Sequence, residues 1–131
     1  MVQTLPKTPL TLDPLVDQYF EHFNQGNYAA VATLFSDDGG LCPPFEEVIV
    51  GPPAIATYLA QEAAGMRAIP KDSQTQVTEN GRQITVKGQV KTPFFTVNVQ
   101  WIFAMTAADQ IQRADIKLLA SLQELLQFNR G

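Results

Sequence analysis

The chain has 131 residues, 45% of them hydrophobic and 17% charged, with a formal net charge of −4. That length suits one domain that buries a core without disulfides or metals. An acidic balance with scattered Lys and Arg excludes a phosphate-binding groove for nucleic acid and a polybasic membrane anchor. No apolar run approaches the ~20 residues that span a bilayer. Met1 to Leu12 lacks the basic start and apolar stretch of a signal peptide, which points to the cytoplasm.

Residues 1–12 hold two prolines and no hydrophobic period, the pattern of a mobile arm, and 13–131 then form the single domain. Asp13-Pro14 is a helix start, a carboxylate cap followed by proline at the first helical position. Leu15, Val16, Tyr19, Phe20 and Phe23 follow at helical spacing, and Asn24-Gln25-Gly26 ends the helix. A second helix spans Tyr28 to Phe35, and Ser36 to Gly40 reads as a loop. Leu41 to Phe45 carries two prolines, which excludes a central strand. Glu46 to Val50 reads as a short strand. Gly51-Pro52-Pro53 opens a third helix running to about Ala64, with Gly65 as its stop. Strands follow at Gln74–Thr78 and Arg82–Lys91, joined by an Asn80-Gly81 hairpin turn. Two more span Phe95–Thr106 and Ile111–Leu119. Ser121-Leu122-Gln123-Glu124 matches a capping box, so a helix to about Phe128 closes the chain. Helices, then a meander of antiparallel strands, then a terminal helix define an α+β domain with helices on one side of a curved sheet.

The strand at 95–106 carries most of the functional information. Phe95, Val97, Val99, Trp101, Phe103 and Met105 share one face by simple alternation. Such a face is ordinarily core. Buried Tyr and Trp need partners for their polar tips, however. Tyr19 on the first helix and Trp101 on the sheet would place two donors among apolar walls, the description of a small-molecule pocket. An enzyme would need an acid or base on that face, and the long strand offers none. His22, the one histidine, reads as a surface or helix-end residue. Asp115 is the better candidate, yet beside Arg113 and Lys117 it reads as part of a solvated strand face. No phosphate loop, nucleophile elbow or metal-ligand spacing is present, and one His with one Cys does not make a metal site.

Helices followed by a long-stranded curved sheet resemble the nuclear-transport-factor-2-like fold. Within it, Leu34-Phe35-Ser36-Asp37-Asp38-Gly39, Pro43-Pro44-Phe45, Ile49-Val50-Gly51, Ile69-Pro70, Val86-Lys87-Gly88-Gln89-Val90-Lys91-Thr92-Pro93, Leu118-Leu119-Ala120-Ser121 and Glu124-Leu125-Leu126 are similar to the C-terminal domain of orange carotenoid protein. The likeness runs from about residue 13 to 130. The family's N-terminal helical domain is not in this sequence, so the chain resembles the stand-alone homologues of the C-terminal domain. Two departures stand out: Phe94 occupies a place where the family often has a second tryptophan, and the stretch from Thr92-Pro93 to Trp101 is shorter.

The resemblance implies a water-soluble, cyanobacterial-type ketocarotenoid carrier and not an enzyme. Its ligand would be canthaxanthin, echinenone or a similar pigment, which it would deliver to, or accept from, helical carotenoid proteins. Photoprotection by singlet-oxygen quenching would follow from the bound polyene. By matching position, Tyr19 and Trp101 would donate hydrogen bonds to the ring carbonyl. Phe35, Met66, Val99, Phe103 and Ile116 would wall the polyene. Glu62 would dock a partner resembling the helical domain. The tail helix would lie on the outer sheet face and act as a lid. A pigment about as long as the ~30 Å hydrocarbon core of a membrane exceeds what a domain of ~14 Å radius of gyration can cover. A homodimer sharing one pigment follows as the expected loaded state, with transient membrane contact during loading. Cys42, if exposed, could link two chains, although cytosol keeps such bonds reduced. The alternative is a small-substrate isomerase or cyclase of the same fold, with Asp115 or His22 in the pocket; a weaker one is a ligand-free interaction module.

Overall fold

In a computed structural model of the chain, residues 11–119 are described. Helix α1 spans Pro14–Gln25. The Asp13 carboxylate accepts from the Leu15 N–H at 2.9 Å, and Gly26 closes the helix in the left-handed conformation at φ 76°. The expected apolar stripe is the buried one: Val16, Tyr19, Phe20 and Phe23. Leu12, expected in the mobile arm, packs half-buried on the core. Residues 1–10 of the expected mobile arm lie outside the described residues.

Helix α2 covers only Tyr28–Thr33. Phe35, expected at its end, instead opens strand β1, Phe35–Cys42, which replaces the expected loop. Ser36-Asp37-Asp38-Gly39-Gly40 has no alternating pattern, so the strand is made by its neighbours rather than by local preference. A Cβ on Gly39 would stand 2.7 Å from the Ile111 carbonyl oxygen, and one on Gly40 2.7 Å from Val48 Cγ2. Glycine is what lets this strand fit between its partners. Leu41 and Cys42 lie in a strand flanked on both sides, and Pro43 terminates it.

Strand β2 is Ile49–Val50 and helix α3 is Pro52–Glu62. Gly65 (φ 84°) follows α3 near the expected stop. Strand β3 runs Arg67–Thr78, seven residues earlier than the sequence pattern suggests. Pro70 hid its first half. β3 is an edge strand, where a missing N–H is tolerated, and the register shifts between Pro70 and Asp72. Strand β4 is Gly81–Lys91. Thr78 pairs with Gly81, so the tight loop is Glu79-Asn80, one residue before the expected Asn-Gly turn. Strands β5, Thr96–Thr106, and β6, Ile111–Leu118, complete the sheet. The expected capped helix at 121–128 lies outside the described residues.

The six strands form one curved sheet in the order β2-β1-β6-β5-β4-β3. β3 to β6 is the expected antiparallel meander, but β1 joins β6 in parallel. The three helices pack on the face that carries Ile84, Val86, Val99, Trp101, Phe103 and Ala114, all buried.

Candidate functional site

Register decides which side chains share a face. Val86, Trp101 and Ile116 lie abreast across β4, β5 and β6, as do Ile84, Phe103 and Ala114, and Gly88, Val99 and Leu118. Cross-strand partners project to the same side of a sheet, so these rows make an apolar floor. Helix α1 lies over it. The Tyr19 ring meets Phe103 edge-on at 5.0 Å, and Phe20 meets Trp101 edge-on at 4.8 Å.

Beside this contact the floor and helices enclose a cavity of about 300 Å³, at the small end of ligand pockets, lined by Tyr19, Trp101, Val99, Met66 and Ile116 among others. Its wall passes from residues without solvent contact to Glu46, Glu62 and Phe95, which are exposed, so it opens at that end. The Tyr19 hydroxyl is buried and has no hydrogen-bond partner among the described residues. Burial pushes its pKa up, so it stays a protonated donor at any physiological pH. An unsatisfied buried hydroxyl costs about 1–3 kcal/mol, and a ligand acceptor would relieve that cost.

Of the seven residues expected to touch ligand, five line the cavity: Tyr19, Trp101, Met66, Val99 and Ile116. Phe35 and Phe103 do not; both are fully buried core, Phe103 directly behind Tyr19. Val97, Val90 and Leu118 also line it. The alternation of β5 and β6 placed Val97 and Leu118 on the right face, whereas Val90 needed the β4–β5 register. Tyr58 and Leu59 of α3, Ala63 just after it and the Pro43-Pro44 turn also line the cavity, and none of them was expected in its wall from the sequence. The Tyr58 hydroxyl donates to Glu46 Oε2 at 2.9 Å, tying α3 to the segment after β1. Burial and that carboxylate hold the Tyr58 pKa up.

Asp115 pairs with Ile102 and Cys42, which puts all three on the opposite face from Trp101. Its carboxylate accepts from Arg113 Nε at 2.9 Å. His22 sits in the last turn of α1 and is not among the cavity-lining residues; its Nδ1 is buried and unpartnered among the described residues. Cys42 is a free, half-buried thiol at the end of β1, with Arg113 Nη2 3.5 Å from its Sγ. Glu62 ends α3 on the open rim. Among the described residues no group of His, Cys, Asp and Glu is arranged to hold a metal, and no helix is long and apolar enough to cross a membrane.

A helix-covered sheet with an apolar cavity defines the class, and the chain belongs to the nuclear transport factor 2 domain family: residues 12–114 match the Nuclear transport factor 2 (NTF2) domain. Within that class it is similar to the orange carotenoid-binding protein. It is 35% identical over 117 residues to the Synechocystis sp. protein, covering 86% of this chain and 37% of the relative. It superposes on the orange carotenoid protein of Anabaena (Nostoc) sp., whose structure binds canthaxanthin, with a TM-score of 0.81 at 31% identity. That match covers 89% of this chain and 39% of the other. The chain thus spans well under half the length of these relatives. An epoxide hydrolase/cyclase-like enzyme of pyran ring formation in the polyether salinomycin shares the fold alone, with a TM-score of 0.68 at 17% identity over 82% of this chain and 89% of the other.

Proposed function

We propose that this chain is a carrier for a ketocarotenoid such as canthaxanthin or echinenone. In this reading the cavity holds one ring of the pigment, Tyr19 and Trp101 donate to its carbonyl, and the polyene leaves through the open end. The observation that carries it is the buried, unpartnered Tyr19 hydroxyl on a cavity with otherwise largely apolar walls. A carbonyl between a phenol O–H and an indole N–H satisfies all three groups in a dry site. The likeness to orange carotenoid protein supports that ligand class. A cavity of about 300 Å³ takes an end group and not a whole pigment, so a second copy or a helical carotenoid protein covers the remainder, the latter docking at Glu62. Quenching of singlet oxygen is then a property of the bound polyene.

The rival reading is a cyclase or isomerase of the same fold. It needs an acid or base facing the cavity. Asp115 is on the other face and His22 is not in the lining. The carboxylates that reach the cavity, Glu46 and Glu62, sit on its exposed rim, where water competes for any proton they handle.

The test is reconstitution of the pigment-free protein with canthaxanthin, compared with Tyr19→Phe and Trp101→Phe. A red-shifted visible band that survives gel filtration is expected. Each variant should bind about tenfold more weakly, the loss of one ~1.4 kcal/mol hydrogen bond. No bound pigment, or binding indifferent to both substitutions, overturns the reading in favour of the enzyme.

A further inference from the structure

The three exposed phenylalanines among the described residues stand at one end of the sheet. Phe94 (88% exposed) and Phe95 (60%) form the β4–β5 connection, and Phe45 (92%) follows β1. Register brings them to the same end: Leu118 of β6 lies beside Val99 near the start of β5, and Cys42 at the end of β1 lies beside Asp115. This is also the open end of the cavity, since Phe95 belongs to its lining.

The Phe94-Phe95 turn has an unusual polar economy. The Thr92 N–H donates to the Phe95 carbonyl at 2.8 Å. The Phe94 and Phe95 N–H groups both donate to Thr92 Oγ1, at 3.2 and 3.0 Å. Pro93 has no N–H. Every backbone N–H of the turn is therefore satisfied internally, which lowers the cost of leaving water, while the carbonyls of Thr92, Pro93 and Phe94 accept no hydrogen bond among the described residues and suit the polar depth of the headgroups rather than the hydrocarbon. At its base, Arg67 and Lys91 lie directly opposite each other on β3 and β4, both exposed. Neither forms an ion pair among the described residues, and like charges so placed repel. An anionic surface would relieve that repulsion. Glu46 and Glu62 lie along the α3 side of the same rim.

We infer that the Phe94-Phe95 turn is a lipid-docking tip. It seats the open end of the cavity on an anionic bilayer, with Phe94 and Phe95 in the interface, Arg67 and Lys91 against headgroups, and the acidic α3 rim, with Phe45 next to Glu46, tilted away. Aromatic rings at headgroup depth and basic residues against anionic lipid are the two general sources of such affinity. A second copy is the poorer occupant. Symmetric pairing of this tip would bring Arg67 and Lys91 against their own copies, and a turn with no spare N–H offers no strand to pair with.

The inference goes beyond the pigment reading and is tested without pigment. The pigment-free full chain is co-sedimented with vesicles of phosphatidylcholine alone and of mixed phosphatidylcholine and phosphatidylglycerol. Binding should be stronger to the mixture. Phe94→Ser with Phe95→Ser should weaken it about tenfold. Arg67→Glu with Lys91→Glu should abolish the preference for the anionic mixture, and Phe45→Ser should leave binding unchanged. Circular dichroism of each variant confirms that it is folded. Equal binding by the Phe94/Phe95 variant, a loss with Phe45→Ser as large as with that variant, or no vesicle binding by the native chain overturns the inference. So does a pigment-free dimer that the Phe94/Phe95 substitution dissociates, which would make the turn a protein interface. Each of these outcomes leaves the canthaxanthin reconstitution free to succeed or fail.

Discussion

Tyr19 combines a ring used in packing with a hydroxyl that packing does not use. Its ring is packed among Phe20, Phe23 and Phe103, and all of that contact is open to phenylalanine. The hydroxyl adds nothing to the pigment-free fold, because it has no partner among the described residues. Removing an unsatisfied buried polar group stabilises, so Tyr19→Phe should raise pigment-free stability by about 1 kcal/mol while weakening pigment binding. Thermal or urea unfolding beside the binding titration checks both signs; a destabilised variant would mean that the hydroxyl has a structural partner. Asp13 is the opposite kind of residue. It caps α1 and accepts from Arg82 Nε at 2.7 Å, joining the helix to β4. Burial opposes its ionisation, but the hydrogen bonds and charge of Arg82 and the Leu15 N–H outweigh it, and the pKa falls below the usual carboxylate range. A lowered native pKa means stability present above the unfolded value of about 3.9 and lost as pH drops through the native one. Asp13→Asn keeps a cap but no charge. Its stability should therefore fall less steeply than the native protein's as pH drops below the unfolded carboxylate value of about 3.9, as melting curves at a series of acidic pH values would show.

At the scale of elements, close approach of strands matters more than their individual propensity. Gly88 sits in the middle of β4 between Val86 and Val90. A Cβ there would stand 2.2 Å from the Ile69 carbonyl oxygen, next to the register shift of β3. The atom struck is backbone rather than a side-chain tip, and β4 is held between β3 and β5, so relief requires β3 to shift. Gly88→Ala should therefore cost about 1–3 kcal/mol, the range for overpacking, read by urea unfolding; a neutral effect would mean that β3 moves freely as an edge. The same substitution should weaken pigment binding by tilting Val90 and Val99 on the cavity floor. Edge freedom also explains why Pro70 is tolerated in β3.

At the scale of the molecule, a half-open cavity of about 300 Å³ leaves most of a long polyene outside. The pigment reading therefore requires a second protein surface when loaded. Canthaxanthin-loaded chain should run as a dimer on a sizing column and the pigment-free chain as a monomer; a loaded monomer would remove the shared-pigment arrangement. Cys42 bears on this only through its position. It lies on the sheet face away from the cavity, with the Arg113 guanidinium 3.5 Å from its sulfur. The thiol is free and half-buried. Mild oxidation should then give a disulfide-linked dimer on a non-reducing gel that Cys42→Ser lacks, without changing the colour of the bound pigment.

Sequence by itself determined what local chemistry encodes. The Asp13-Pro14 start and Gly26 stop of α1, the alternation of β5, and the choice of Tyr19 and Trp101 as polar tips on apolar faces all follow from residue type and period. Tertiary structure decided what depends on neighbours distant in the chain. β1 is a strand because β2 and β6 supply partners to a Ser-Asp-Asp-Gly-Gly segment with no strand pattern of its own. Asp115 is excluded from the cavity because register turns it away from Trp101. Phe35 and Phe103 are buried in the core and are not among the cavity-lining residues, Phe103 lying under the Tyr19 ring. The open end, where Glu62, Phe95 and the satisfied Thr92 turn meet, exists only once four strands and α3 end together. Local pattern fixes which way a side chain points on its own element; what stands opposite is set by long-range pairing, which no short stretch of sequence contains.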